Sequence, residues 1–139
     1  MTRTYHPDGI QPQPGQVFVF GSNLSGHHGG GAARAAHQNY GAEWGVAEGR
    51  TGRCYAIPTV NVQISGPRPL ESIAHSVRNF LSYAEWDSKE QFFVTRIGCG
   101  LAGHKDADIA PMFANAPANC SLPDTWRDLL GKPQAVEVV

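Results

Sequence analysis

Apolar residues along the chain fall into short runs separated by glycine-rich or polar stretches, and the period within each run predicts its element. Val17-Phe18-Val19-Phe20 is a continuous β-branched and aromatic run closed by glycine, which predicts a strand buried on both faces. The next stretch, Gly21-Ser22-Asn23-Leu24-Ser25-Gly26-His27-His28-Gly29-Gly30-Gly31, is too rich in glycine for regular structure. Ala32 to Tyr40 is alanine-rich without a β-branched residue, so a helix is expected to open at the last glycines and close near Gly41. A polar, glycine-bearing loop from Gly45 to Arg53 leads into Cys54-Tyr55-Ala56-Ile57, a short predicted strand before Pro58. From Pro69 onward, Leu70, Ile73, Ala74, Val77, Phe80, Leu81 and Ala84 recur at helical spacing and predict a helix with one core-facing stripe. The run from Gln91 to Ile97 predicts a strand that feeds a second glycine-rich loop, Gly98-Cys99-Gly100-Leu101-Ala102-Gly103. Asp106 or Asp108 is placed to start a helix through Met112 and Phe113, and Asn119 to Leu122 to form a last short strand.

Strands alternating with helices predict an α/β layered domain with a largely parallel sheet. Residues 1–16 hold three prolines, two glycines and few apolar positions, so they read as an extended arm. The expected organisation is that arm, one domain over residues 17–131, and a tail over 132–139. The length of 139 residues fits a single domain on the usual scale of roughly 100–200 residues. A net charge of −1 supplies no field for a polyanion, which argues against nucleic acid as the main partner. No apolar leader opens the chain and no eighteen-residue apolar run occurs, so a membrane partner is not expected. Cys54, Cys99 and Cys120 are odd in number and in no C-x-x-C frame, which suits free thiols in a reducing, cytoplasmic setting. Neither a metal nor a cofactor is expected, because the His and Cys spacings match no ligand frame.

Both glycine-rich loops follow a buried strand and precede a helix, and strand C-terminal ends line the ligand crevice of an open α/β sheet. Glycines there let backbone come close to a ligand and present N–H groups beside the positive end of a helix, which is phosphate-binding chemistry. Residues 98–103 match G-x-G-x-x-G, but too little chain follows for the βαβ units of a dinucleotide fold. The first loop has no G-K-[ST] ending and is no P-loop.

The first strand and loop, with Gly29-Gly30-Gly31-Ala32-Ala33-Arg34-Ala35-Ala36 and later Ile97-Gly98-Cys99-Gly100-Leu101-Ala102-Gly103, resemble the macrodomain superfamily. The likeness covers roughly Val17 to Pro123. It is greatest to small bacterial and phage macrodomain-like proteins and to the terminal ADP-ribose protein glycohydrolase branch, which shares an Ile-Gly-Cys-Gly-Leu stretch. The resemblance implies a three-layer α/β/α sandwich that binds ADP-ribose or a related diphosphate nucleotide, free or attached to an ADP-ribosylated protein. If the domain turns over, the implied activity is hydrolysis of an ADP-ribosyl bond. The implied ligand contacts are Gly21, Ser22 and Asn23 at the strand end, Gly29, Gly30, Gly31 and Ala32 at the helix entry, and Gly98, Cys99, Gly100, Leu101, Ala102 and Gly103 in the second loop. The diphosphate would lie between the loops and the distal ribose near Asn23. That branch carries a catalytic aspartate where this chain has Ala102, and a lysine after the strand that aligns with residues 55–59, where Val60 stands nearby. Only Asp8 precedes the first clear strand to serve as an adenine-recognising aspartate.

Candidate catalytic groups are therefore Asn23, His28 and His104, with His27 and Asp106 close by in sequence. Each has a plainer role open to it: the histidines as solvated loop residues, and Asn23 as the closer of an Asx-turn. Cys99 reads either as a thiolate activated by His104 or as a small buried filler. Trp44, Trp86 and Trp126 read as adenine-stacking or core residues, and Arg50 and Arg53 as phosphate contacts or exposed cations. The alternatives to an ADP-ribose site are an enzyme acting on another phosphorylated nucleoside through a loop histidine, and an interaction protein with a degenerate pocket.

Overall fold

The computed structural model describes residues 3–62, 65–100 and 102–130, so the expected tail and Leu101 lie outside the described residues. Six strands form one sheet: β1 (Thr4–His6), β2 (Gln16–Asn23), β3 (Gly49–Thr51), β4 (Cys54–Val60), β5 (Gln91–Val94) and β6 (Cys120–Pro123). Their order is β1-β6-β5-β2-β4-β3. Every pairing is parallel except that of the edge strand β3 with β4. The helices are α1 (Gly31–Asn39), α2 (Leu70–Trp86), α3 (Asp106–Ile109) and α4 (Arg127–Leu130). They cover both faces of the sheet and give an α/β sandwich of macrodomain-like topology.

Alternation along the central strands sorts side chains between two cores. Val17, Val19, Tyr55, Ile57, Phe92 and Val94 face α2, whose fully buried Ile73, Val77, Phe80 and Ala84 form the stripe that the sequence predicts. Phe18, Phe20, Ala56 and Phe93 face the other way, toward Ala33 and Ala36 of α1. Small helix residues against aromatic sheet residues let α1 sit close and fill the layer.

Several elements differ from the sequence expectation. Strand β2 continues through Gly21–Asn23, β4 runs past Pro58 to Val60, and β5 stops at Val94 rather than Ile97. Within the arm, Thr4–His6 pairs with β6, and the His6 ring stacks on Phe93 at 3.8 Å with Nδ1 2.8 Å from Ser121 Oγ. A three-residue strand held by a partner more than a hundred residues away leaves no periodic trace. The loop from 45 to 53 contains β3, which is equally short. The predicted helix from Asp106 through Phe113 is α only to Ile109 and continues as a 3-10 turn over Ala110–Phe113, where Pro111 interrupts α-helical bonding. A 3-10 turn at Asp124–Trp126 leads into α4 without a signal in the sequence pattern; it plants Trp126, fully buried, against Phe113.

The central strand β2 lies between β4 and β5. Its chain exit runs to α1 on one face, and the exit of β5 runs to α3 on the other. Connections that leave neighbouring strands toward opposite faces open a crevice at the strand ends.

Candidate functional site

That crevice holds an open cavity of about 600 Å³. Both glycine loops line it, so the sheet brings together Gly21, Ser22 and Asn23, then Gly29, Gly30, Gly31 and Ala32, then Gly98, Gly100 and Ala102. The loops come close at their roots. A Cβ on Gly21 would stand 3.1 Å from Thr59 Oγ1 and 3.5 Å from Gly98 N. Gly98 has φ +73°, and a Cβ there would meet Ile109 Cδ1 at 3.3 Å, so conformation and space both call for glycine. The β2–β4 register slips at Ser22 and Asn23, an irregularity that re-aims the strand end at the crevice.

The entry to α1 has the backbone geometry that suits an anion. Gly30 is extended (φ −152°, ψ 161°), Gly31 turns with φ +56°, and no side chain caps the helix. Its first backbone bond runs from Arg34 N–H to Gly30 O at 3.1 Å. The N–H groups of Gly31, Ala32 and Ala33 therefore have no acceptor within the helix. They carry the positive end of the helix dipole at the cavity wall. The second loop is partly knit by its own amides. Its N–H groups of Cys99, Gly103 and His104 close internal bonds to Arg96 O, Gly100 O and Gly98 O at 3.2, 3.0 and 2.8 Å. None of those three residues lines the cavity, which the second loop borders through Gly98, Gly100 and Ala102.

Several candidate residues lie elsewhere. Cys99 and Gly103 are outside the cavity lining. The Cys99 thiol packs on the core and faces Ile97 O at 3.4 Å, and burial together with the Asp106 charge pushes its pKa up to about 12. A protonated thiol of that kind is a filler rather than a nucleophile. His28 is 2% exposed beneath the loop, edge-on to Phe20, and its Nε2–H donates to Glu43 O at 2.9 Å. Burial lowers its pKa, and its Nδ1 is buried without a partner. The His104 Nε2–H donates to Arg68 O at 2.9 Å and ties its loop to the segment before α2. Asn23 lines the cavity but closes a local turn: its amide donates to His27 O at 2.7 Å while its carbonyl accepts from His27 N–H at 3.0 Å. Arg50 and Arg53 both clasp Glu90 at the far side of the sheet.

His27, a candidate by its place in the first loop, lines the cavity, and so do Ala33, Thr59, Val60, Thr95, Arg96 and Ile97, which the sequence does not single out as contacts. Arg96 is the one Lys or Arg among the described lining residues. Asp106 holds its guanidinium by two bonds, Nε–Oδ1 at 3.0 Å and Nη2–Oδ2 at 2.5 Å, and Asp8 Oδ2 lies 3.6 Å from Nη1. Asp106 also accepts from Trp126 Nε1 at 2.7 Å. An exposed arginine at the end of a strand carries no signal of this role in sequence; only the position of Asp106 reveals it.

The Arg96 bonds, with that of Trp126, pull the Asp106 pKa down to about 2. The carboxyl is thus ionised in the folded protein to about pH 2, but in the unfolded chain only to about pH 4. Its stabilisation is complete above about pH 4 and disappears as the pH falls to about 2. Because the Arg96 side chain is 40% exposed, solvent screening reduces the effect to about 1–2 kcal/mol. Asp106→Asn should cost that amount in urea unfolding at neutral pH and almost nothing near pH 2. An equal cost at both pH values would remove the ion pair as its cause.

By sequence, no family model and no curated protein matches this chain. Solved structures do. A protein of unknown function from Bacteroides thetaiotaomicron superposes with a TM-score of 0.59 at 15% identity, over 88% of this chain and 98% of the other. DarTG from Thermosipho africanus, solved in complex with ADP-ribose, gives 0.57 at 16% identity over 86% of this chain, which spans 42% of that one. A macrodomain protein from Streptomyces coelicolor gives 0.53 at 13% identity over 88% and 99%. These likenesses define the class of the chain at the level of fold: it is structurally similar to macrodomain-fold proteins. No helix among the described residues is long and apolar enough to cross a membrane.

Proposed function

We propose that the crevice binds ADP-ribose or a closely related diphosphate nucleotide. The uncapped entry of α1, opening into a cavity at the switch point of the sheet, carries this reading. The diphosphate would take the N–H groups of Gly31, Ala32 and Ala33, face Gly98 and Gly100, and have Arg96 within the same cavity, while the distal ribose would lie near Asn23. The volume suits a ligand of that size, for which sites of roughly 300–1,000 Å³ are usual. Two of the structural neighbours support the choice of nucleotide, one by its bound ADP-ribose and one by its macrodomain description.

The chemistry of the lining favours binding over turnover. No Asp, Glu, Lys or Cys stands among the described lining residues, and His27 is the one imidazole. The crevice is also open rather than filled by side chains, which a pocket that had lost its ligand would not require. Calorimetric titration with ADP-ribose is expected to give a dissociation constant near the micromolar range, or about −8 kcal/mol. No heat at sub-millimolar protein would overturn the reading.

A further inference from the structure

The segment after α1 is clamped onto the first glycine loop. Gly45 N–H donates to Gly26 O at 2.8 Å, and the two backbones approach so closely that a Cβ on Gly26 would lie 2.4 Å from Gly45 C. On the other side of Trp44, Glu43 O accepts from His28 Nε2–H at 2.9 Å and Glu43 N–H donates to Thr51 Oγ1 at 3.2 Å. Trp44 is therefore anchored through both of its chain neighbours. Its ring lies against His27 with centroids 5.3 Å apart and planes 18° from parallel, and His28 and His37 meet it at steep angles at 6.0 and 5.5 Å.

Despite these contacts, Trp44 remains 55% exposed. The other tryptophans show what the alternatives look like. Trp126 fills the core with its N–H bonded, and Trp86, 78% exposed at the end of α2, has only Tyr83 as a ring neighbour among the described residues; neither Trp86 nor Trp44 is itself a lining residue, but Trp44 adjoins one. Trp44 combines a fixed ring, an open surface and a position against His27, which lines the cavity. A rigid exposed aromatic beside a ligand crevice gains free energy when a second flat ring covers it. Asn23, near the proposed distal ribose, is bonded to the backbone of His27, so the aromatic pair stands at that end of the cavity.

We propose that Trp44, backed by His27, is a stacking shelf for a planar heteroaromatic ring carried on the distal ribose. The ligand class is then a dinucleotide bearing a ring at each end rather than one that ends in a bare ribose. The inference rests on the diphosphate-nucleotide reading above and specifies one end of it.

NAD, which carries a ring on that ribose, and ADP-ribose, which does not, separate the two ideas. Trp44→Ala is expected to weaken NAD binding roughly tenfold, as loss of a base–aromatic stack does, and to leave ADP-ribose binding unchanged. Trp44→Phe should keep NAD affinity within about threefold of the parent, because a flat ring is retained. Equal effects on the two ligands, no effect on either, or a parent protein that binds ADP-ribose but rejects NAD would each overturn the shelf while leaving the diphosphate site standing. A parent that binds neither would overturn both. Circular dichroism and a melting curve on each variant verify that the exposed substitution leaves the fold intact.

Discussion

Gly30→Asp is expected to weaken binding of a diphosphate nucleotide by about thirtyfold or more while leaving the protein as stable as before, or slightly more so. Gly30 occupies the N-cap of α1 in an extended conformation that any residue can adopt. Aspartate is among the preferred residues at that position, and over glycine it adds a few tenths of a kcal/mol to the helix. Its carboxylate would accept from the N–H groups one turn into the helix, at Ala32 and Ala33. These are the donors the proposed ligand uses, so the new side chain would occupy the cradle and present like charge to the incoming diphosphate. Two unit charges about 4 Å apart repel by about 4 kcal/mol at the effective dielectric of a protein surface. With half of that repulsion allowed for screening, about 2 kcal/mol remains, a loss of affinity of about thirtyfold, to which the loss of the occupied donors adds. A melting curve and a titration on the same preparation test both halves. A well-folded variant with unchanged affinity would show that the anion does not sit at the start of α1.

The second large effect is on stability, at Gly26. It has φ +69°, and its Cα faces the backbone of Gly45 with no room for a methyl group. An alanine there would have to hold a left-handed conformation, at about 1–2 kcal/mol, and push two backbone segments apart, at about 1–3 kcal/mol. Gly26→Ala should therefore lose about 2–5 kcal/mol and melt roughly 10 °C lower. Gly29, three residues on, is the internal comparison. A Cβ there meets nothing within 4 Å, and φ is not in the left-handed region. Gly29→Ala should leave the melting temperature unchanged or raise it through the stiffer unfolded chain, by up to about 1 kcal/mol. If the two variants melt alike, the clamp between the first loop and the segment bearing Trp44 does not have the tightness that its geometry implies.

The two glycines show how far the sequence can be read. Glycine-rich loops after buried strands mark a place where backbone must bend or approach something, and that much is legible in Gly21 to Gly31 and in Gly98 to Gly103. Which glycine serves a ligand and which serves packing is not legible, because Gly26, Gly29 and Gly30 differ only in what the fold brings against them. The same holds for the histidines. His27 and His28 are adjacent, yet one lines the cavity and the other is sealed under it, since neighbouring side chains on an irregular loop point in directions that only the loop's anchors determine. Arg96 and Asp106 are ten residues apart across a loop, and nothing in their spacing announces a two-bond pair.

Much of the core was legible for the complementary reason. Strands β2, β4 and β5 carry their burial as short continuous apolar runs and helix α2 as a 3.6-residue period, and such local patterns survive whatever tertiary partner is chosen. Local pattern and glycine punctuation thus determined the α/β class, the central strands, the two main helices and the whereabouts of the crevice. Tertiary structure alone decided the rest: the edge strands β1 and β3, the close approach of the two loops, the pairing of Arg96 with Asp106 and the clamp that holds the segment bearing Trp44. Each of these depends on contacts between distant segments, whose energy lies in the approach of two surfaces and leaves no imprint on the order of residues within either one.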